Sequence, residues 1–178
     1  IGNKLIGEDQ PTYFIAEIGI NHNGSLDQAK RLIDVAVECG CDAVKLESNN
    51  KNFNIIEKLV KKKIPVMGHI GFTPQFKKNF RIEGDTPNKA NKLLKEALCI
   101  DKAGAFSIVL ECISSKTSKL ITRKLKIPTI GIGSSSYCDG QILVTDDMLG
   151  ISGFYPKFVK KYVNLNRIIE KAVKKYTR

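Results

Sequence analysis

The sequence predicts an α/β fold of the (β/α) TIM-barrel type, incomplete at about six parallel strands. Three observations carry this reading. Short apolar β-type runs alternate with amphipathic helical stretches along the chain, and repeated βα units demand a parallel sheet. The runs are nearly continuous Val, Ile and Leu, as in strands covered on both faces. Their ionisable residues fall at the C-terminal ends, where a barrel assembles its site. A complete eight-fold barrel usually takes about 200–250 residues. The 178 residues here therefore fall short by about two βα units, and we read 1–178 as a single domain.

FIAEIG (14–19) opens the series as a strand. NHNG turns the chain, and Ser25 then caps a helix from Leu26, with Gln28 as the partner of a capping box. Ala29, Leu32, Ile33, Ala36 and Val37 form one apolar stripe, and Gly40 ends that helix. AVKLE (43–47) is the second strand, followed by a helix near 52–62 with Phe53, Ile55, Ile56, Leu59 and Val60 apolar. PVMGHIG (65–71) is the third strand. The polar loop at 72–86 is long enough to be a lid or an oligomer contact. Thr86 and Pro87 open the next helix as N-cap and N1, with Ala90, Leu93, Leu94, Ala97 and Leu98 as its stripe and Gly104 as its stop. AFSIVLE (105–111), a helix around 115–125, IPTIGIG (127–133) and QILVT (141–145) follow. Asp139-Gly140 marks a turn, Asp146 and Asp147 read as capping or loop residues, and a last helix spans about 164–176.

With 42% hydrophobic and 26% charged residues, a soluble globular protein is expected. No apolar run approaches the ~18 residues of a membrane span, and the first residues lack a basic-then-apolar signal pattern. We expect a cytoplasmic protein with no membrane partner. The net charge of +11 resides mainly in lysines on solvated helix faces, without interleaved aromatics. That pattern argues against nucleic acid and reads first as a lysine-rich surface, with attraction of small anionic substrates as the alternative. The five cysteines include no CxxC pair, so reduced, mostly buried thiols are expected. Six strands in an open sheet leave two edges, which predicts a homo-oligomer.

Side chains alternate along a strand, so Val44 and Leu46 face the helices while Lys45 and Glu47 point inward. By the same parity His69 shares a face with Met67, Glu111 with Ser107 and Val109, and Glu17 lies opposite Ala16 and Ile18. An inward carboxylate needs a partner. Lys45 and Glu47 pairing with each other, or with His69, would be a purely structural solution. Ionisable groups from three strands at one edge point instead to a site. Glu17 and His22 are weaker candidates: Glu17 serves equally as a structural or cap residue, and His22 as a turn residue.

The segments AVKLE, IPVMGHIGFTPQ, LLKEALCIDKAGAFSIVLEC, IPTIGIGSSSYCDGQILVTDDMLG and PKFVKKY closely resemble the ketopantoate (3-methyl-2-oxobutanoate) hydroxymethyltransferase family over about residues 43–163. The resemblance implies transfer of a hydroxymethyl group from 5,10-methylenetetrahydrofolate to a small 2-oxo acid, 3-methyl-2-oxobutanoate, in pantothenate synthesis. It implies Mg²⁺ as cofactor and folate as co-substrate. Carried over by motif, Lys45 binds the substrate carboxylate, Glu47 is the metal-side carboxylate, His69 hydrogen-bonds the substrate and Glu111 is the general base. Two further metal-site aspartates of the family have no counterpart among these residues. FIAEIG, with its inward Glu17, stands in their place.

PTYFIAEIGINHNGSLDQAKRLIDVAVECGCDAVK is similar to the start of the N-acetylneuraminate (sialic acid) synthase family, with Glu17, Asn21, His22, Asn23 and Lys45 on its motif. The chain thus looks like a chimera, with a synthase-like βα unit at 1–42 and a hydroxymethyltransferase-like portion at 43–178. A phosphoenolpyruvate-dependent synthase-like enzyme and a non-catalytic chimeric fragment are the alternative readings.

Overall fold

The computed structural model describes residues 1, 4–48, 53–76, 80–153 and 155–177. The chain forms two compact units, Ile1–Gly140 and Gln141–Arg178. The first carries β1 (Ile15–Ile18), α1 (Leu26–Glu38), β2 (Ala43–Glu47), α2 (Phe53–Lys61), β3 (Val66–Gly71), α3 (Pro87–Lys102), β4 (Ser107–Glu111), α4 (Ser115–Lys124) and β5 (Thr129–Ile132). A two-residue β6 (Gly140–Gln141) follows at the boundary. The strand order is β1-β2-β3-β4-β5-β6, and each pair from β1 to β5 is parallel. Neighbours in sequence are neighbours in the sheet, the order of a partial (β/α) barrel rather than of a sheet that reverses direction.

The outward strand residues Val44, Val66, Ile70, Ile108 and Leu110 join Ile33, Ala36, Ile56, Leu93, Ala97, Ile100 and Ile121 of the helices in one core. Fully burying a side chain such as Ile108 or Ile121 contributes roughly 1.5–3 kcal/mol. Packing of α3 on β3 is close enough to require Gly68, since a Cβ there would lie 2.6 Å from Ile100 Cγ2.

Local signals account for most element ends. Ser25 Oγ accepts the Gln28 N–H at 3.3 Å. The reciprocal arm of the expected capping box is replaced, because the Ser25 N–H donates to His22 O at 2.9 Å. Gly40 ends α1 at φ +73. Val37 departs from the expected stripe and is exposed. Thr86 caps α3 through the Lys89 N–H, with Pro87 in the first turn. Asp139 closes its turn by accepting both the Thr129 N–H and its hydroxyl, at 2.8 and 2.9 Å.

The expected strand QILVT is a correction. Only Gly140–Gln141 pairs, Ile142 and Val144 are exposed, and Thr145 opens α5 (Thr145–Leu149). An apolar run without a covering layer gains little from extending as a strand. Asp146 and Asp147 occupy the first turn of α5, and Asp147 accepts from the Ser152 hydroxyl at 2.7 Å. The second unit ends in α6 (Leu165–Tyr176), capped by Asn164. All five cysteines are free, but only Cys112 and Cys138 are buried, fewer than expected.

The 72–86 loop is fastened at its described ends. The Phe72 N–H donates to Glu111 O, the Glu83 N–H to Cys112 O and the Ser114 N–H to Glu83 O, each at 2.8 Å. Ser114 and Thr117 hydroxyls both donate to Gly84 O at 2.8 Å. Among the described residues, no helix is long and apolar enough to cross a membrane.

Candidate active site at the sheet's C-terminal edge

Strand register sets the rows of the inward face. Glu17 pairs with Lys45 and Lys45 with Met67, Glu47 pairs with His69, and Gly71 pairs with Glu111. Lys45, His69 and Glu111 thus sit on three adjacent strands, each two residues higher than the last. The tilt brings their ends together on a diagonal. Lys45 Nζ lies 3.2 Å from His69 Nδ1, and His69 Nε2 lies 3.1 Å from Glu111 Oε2. Lys45 also forms an ion pair with Glu17 across β1 and β2. The row Glu17–Lys45–His69–Glu111 spans four strands and contains four of the residues expected from sequence. Lys45 takes Glu17, not Glu47, as its carboxylate.

The hydrogen-bond inventory fixes the ring. An ammonium can only donate, so His69 Nδ1 accepts and the ring proton sits on Nε2. That N–H is fully buried and close to Glu111, yet it is not aligned for a hydrogen bond to it. It is therefore a buried donor without an aligned acceptor. His69 is 2% exposed and Glu47 5%, whereas the Glu17 side chain is half exposed.

Glu47 stands beside the row. Its Oε2 accepts the Gln75 N–H at 2.7 Å. Burial pushes its carboxyl above the ordinary range, and the neighbouring charge of Glu17 adds to this. The Gln75 N–H, His69 and Lys45 oppose that shift. Glu47 Oε1 and Glu17 Oε1 converge at Gly19, where a Cβ would lie 3.0 Å from the first and 2.7 Å from the second. Any side chain at position 19 would fill the space that these two oxygens face. No group of three or more His, Cys, Asp or Glu side chains among the described residues is arranged to hold a metal. Two converging carboxylates do fit Mg²⁺, which takes one or two protein carboxylates and completes its octahedron with water and substrate oxygens. Their mutual repulsion is what a cation relieves.

His22 is buried in the β1–α1 loop. Its Nδ1 accepts the Gly24 N–H at 3.1 Å, and its Nε2 lies 3.0 Å from the Gln75 side-chain amide. Gln75 was not singled out from sequence, although it ends the quoted IPVMGHIGFTPQ motif. A contact made by a loop main chain leaves no compositional signal. The same holds for Ser134, whose hydroxyl donates to Leu110 O at 2.6 Å and accepts the Ile113 N–H at 3.0 Å. It braces the end of β4 from which Glu111 projects. Gly71, at φ +100, lets the end of β3 pass against Glu111 O. Two surface cavities lie elsewhere. One of about 370 Å³ runs along α3 at Asn88, Lys92 and Lys95, and one of about 390 Å³ lies at the N-terminal side of β2 and β3, lined by Lys4, Asp42 and Lys63. Convergent donors and acceptors, rather than concavity, mark the site.

The ketopantoate hydroxymethyltransferase family model matches residues 14–178. The 3-methyl-2-oxobutanoate hydroxymethyltransferase of Syntrophomonas wolfei is 46% identical over 178 residues, covering 98% of this chain and 62% of the relative. That of Clostridioides difficile is 43% identical over 180 residues, covering 99% and 63%. That of Pelagibacter ubique is 44% identical over 156 residues, covering 88% and 60%. The chain spans about three fifths of the length of these relatives. Among solved structures, the spore coat polysaccharide biosynthesis protein spsE of Bacillus subtilis is 24% identical, with a TM-score of 0.46 over 74% of this chain and 38% of that one. The N-terminal βα unit, similar to sialic acid synthases, lies inside the hydroxymethyltransferase match from residue 14 onward. The chain belongs to the ketopantoate hydroxymethyltransferase family.

Proposed function

We propose that this chain binds 3-methyl-2-oxobutanoate at the Lys45–His69–Glu111 row and removes its C3 proton, for transfer of a hydroxymethyl group from 5,10-methylenetetrahydrofolate. The observation that carries the reading is the row itself, with Nζ–Nδ1 and Nε2–Oε2 separations of 3.2 and 3.1 Å. It offers a cation, a directed N–H and a carboxylate in sequence. Those three groups suit a 2-oxo acid that loses its C3 proton: a cation for its carboxylate, a donor for an oxygen and a base for the proton.

Lys45 has three N–H donors. Glu17 and His69 take two of them, and the third is directed to the substrate carboxylate. The His69 Nε2–H donates to an oxygen of the bound oxo acid. Glu111 accepts the C3 proton: the C–H pair moves into the C2–C3 bond while the carbonyl pair moves onto oxygen. The resulting enol(ate) carbon attacks the folate methylene, so that a C–C bond forms as one C–N bond breaks; water supplies the hydroxyl oxygen as the second C–N bond breaks, and the two folate nitrogens take up the C3 proton and one proton of that water. Glu47 and Glu17 would hold Mg²⁺ near Gly19, and that cation would supply charge stabilisation to the 2-oxo oxygen. The two family aspartates without a counterpart here leave Glu17 to complete the pair.

The test is exchange of the C3 proton in D2O with Mg²⁺ and no folate, followed by NMR. Wild type should exchange the proton, and Glu111→Gln should slow it by about 100-fold or more. Exchange at the same rate in Glu111→Gln, or none in wild type, would overturn the reading.

A further inference from the structure

We infer that Gln75 is a positioning residue for Glu47, and that His22 holds Gln75 in place. The inference rests on the proposed role of Glu47 beside the substrate row.

Three segments meet at this point. Glu47 ends β2, Gln75 lies in the β3–α3 loop, and His22 lies in the β1–α1 loop. The Gln75 N–H is aimed at Glu47 Oε2 at 2.7 Å, the length of a charge-assisted hydrogen bond. A 5%-exposed carboxylate depends on such directed donors for its orientation. With Oε2 turned to the loop, Oε1 is turned to Gly19 and Glu17. The main-chain contact thus selects which oxygen faces the shared space.

The side chain of Gln75 anchors that main chain. His22 Nδ1 accepts the Gly24 N–H, so the neutral ring carries its proton on Nε2. Nε2 can then only donate, so the Gln75 amide, whose Nε2 lies 3.0 Å from it, is assigned in its flipped orientation with the oxygen towards the ring. His22 is 8% exposed, so water competes poorly for this bond. A glutamine in a loop would otherwise be free to rotate. Here it is tied across β2 to the opposite loop, and its N–H is held over Glu47.

A turn-only role for His22 makes a different prediction, and one substitution separates the two. Asparagine at position 22 can still accept the Gly24 N–H in an Asx turn, but it is too short to reach Gln75. Amide hydrogen exchange at position 75, read at residue resolution on the full chain, should accelerate about fivefold in His22→Asn and in Glu47→Ala. Gln75→Ala should behave like His22→Asn, and the double variant His22→Asn/Gln75→Ala should be no faster than either single. In a second measurement, calorimetric titration of Mg²⁺ with 3-methyl-2-oxobutanoate present, His22→Asn and Gln75→Ala should each weaken apparent binding about fivefold, again without adding. Unchanged exchange at position 75 in His22→Asn, or effects that multiply in the double variant, would overturn the inference. Absence of Mg²⁺ binding in wild type would count against the proposed function, while the exchange measurements would still decide whether His22 and Gln75 hold Glu47.

Discussion

Replacing Gly71 with alanine puts a methyl group where the end of β3 has no room for one. The new Cβ would lie 2.1 Å from Glu111 O and 2.8 Å from Ile113 Cγ1, far inside contact distance. The backbone at φ +100 is also one that side chains rarely adopt. That strain costs about 1–3 kcal/mol. Moving Glu111 O away sacrifices its bond from the Phe72 N–H at 2.8 Å, about 1 kcal/mol more. The total, about 2–4 kcal/mol, is a large part of the ~5–15 kcal/mol that holds a domain together. For a chain of this size it lowers Tm by about 10 °C. The same shift moves the Glu111 carboxylate, and a displacement near 1 Å at a reacting group costs about 100-fold in rate. Urea unfolding and C3 proton exchange read the two effects. Gly153→Ala is the internal control, since nothing lies within 4 Å of a Cβ there; it should change stability by less than ~0.5 kcal/mol. A Gly71→Ala protein as stable as that control would refute the account of how β3 and β4 meet.

Gly68→Ala should destabilise by about 1–3 kcal/mol through overpacking on Ile100, and Ile100→Ala should absorb part of that cost, so that the double variant loses less than the sum of the singles by denaturant titration. The Cys112 thiol is pushed up to about 11 by burial and by the charges of Glu111 and Glu83, so at pH 8 it should react with iodoacetamide about 100-fold more slowly than a free thiol; rapid labelling of the folded protein at Cys112 would contradict this. Because its folded value is raised, the stability linked to this thiol is full below its ordinary value of 9.0 and is lost as pH rises toward about 11. For Glu47, also raised, the sign is the same for a carboxyl: its contribution is full below the ordinary 4.5 and declines as pH climbs through the folded value. Glu47→Gln in chelator should therefore gain in Tm relative to wild type as pH rises above the ordinary 4.5, and a difference that stays constant with pH would count against the burial argument.

Much of this architecture was legible in the chain because it is local. Strand parity alone placed Lys45, Glu47, His69 and Glu111 on one face, since a period of two follows from the pleat. Ser25, Thr86-Pro87 and Gly40 marked helix ends because capping is settled within a few residues. The family resemblance was carried by long motifs that survive without knowledge of their contacts. The missed strand has a tertiary cause. QILVT reads as a strand, but whether an apolar run joins a sheet depends on what covers it, and Ile142 and Val144 remain exposed.

What the sequence by itself determined is which residues share a face and which ends are capped. Only the tertiary structure decided which of them touch. Lys45 found Glu17 because β1 sits against β2 with Glu17 opposite Lys45. Gln75 came to Glu47, and His22 to Gln75, because two loops far apart in sequence cross the same strand end. Parity is a property of one strand's backbone. Pairing is a property of register and loop path, which only the packing of helices on the sheet sets.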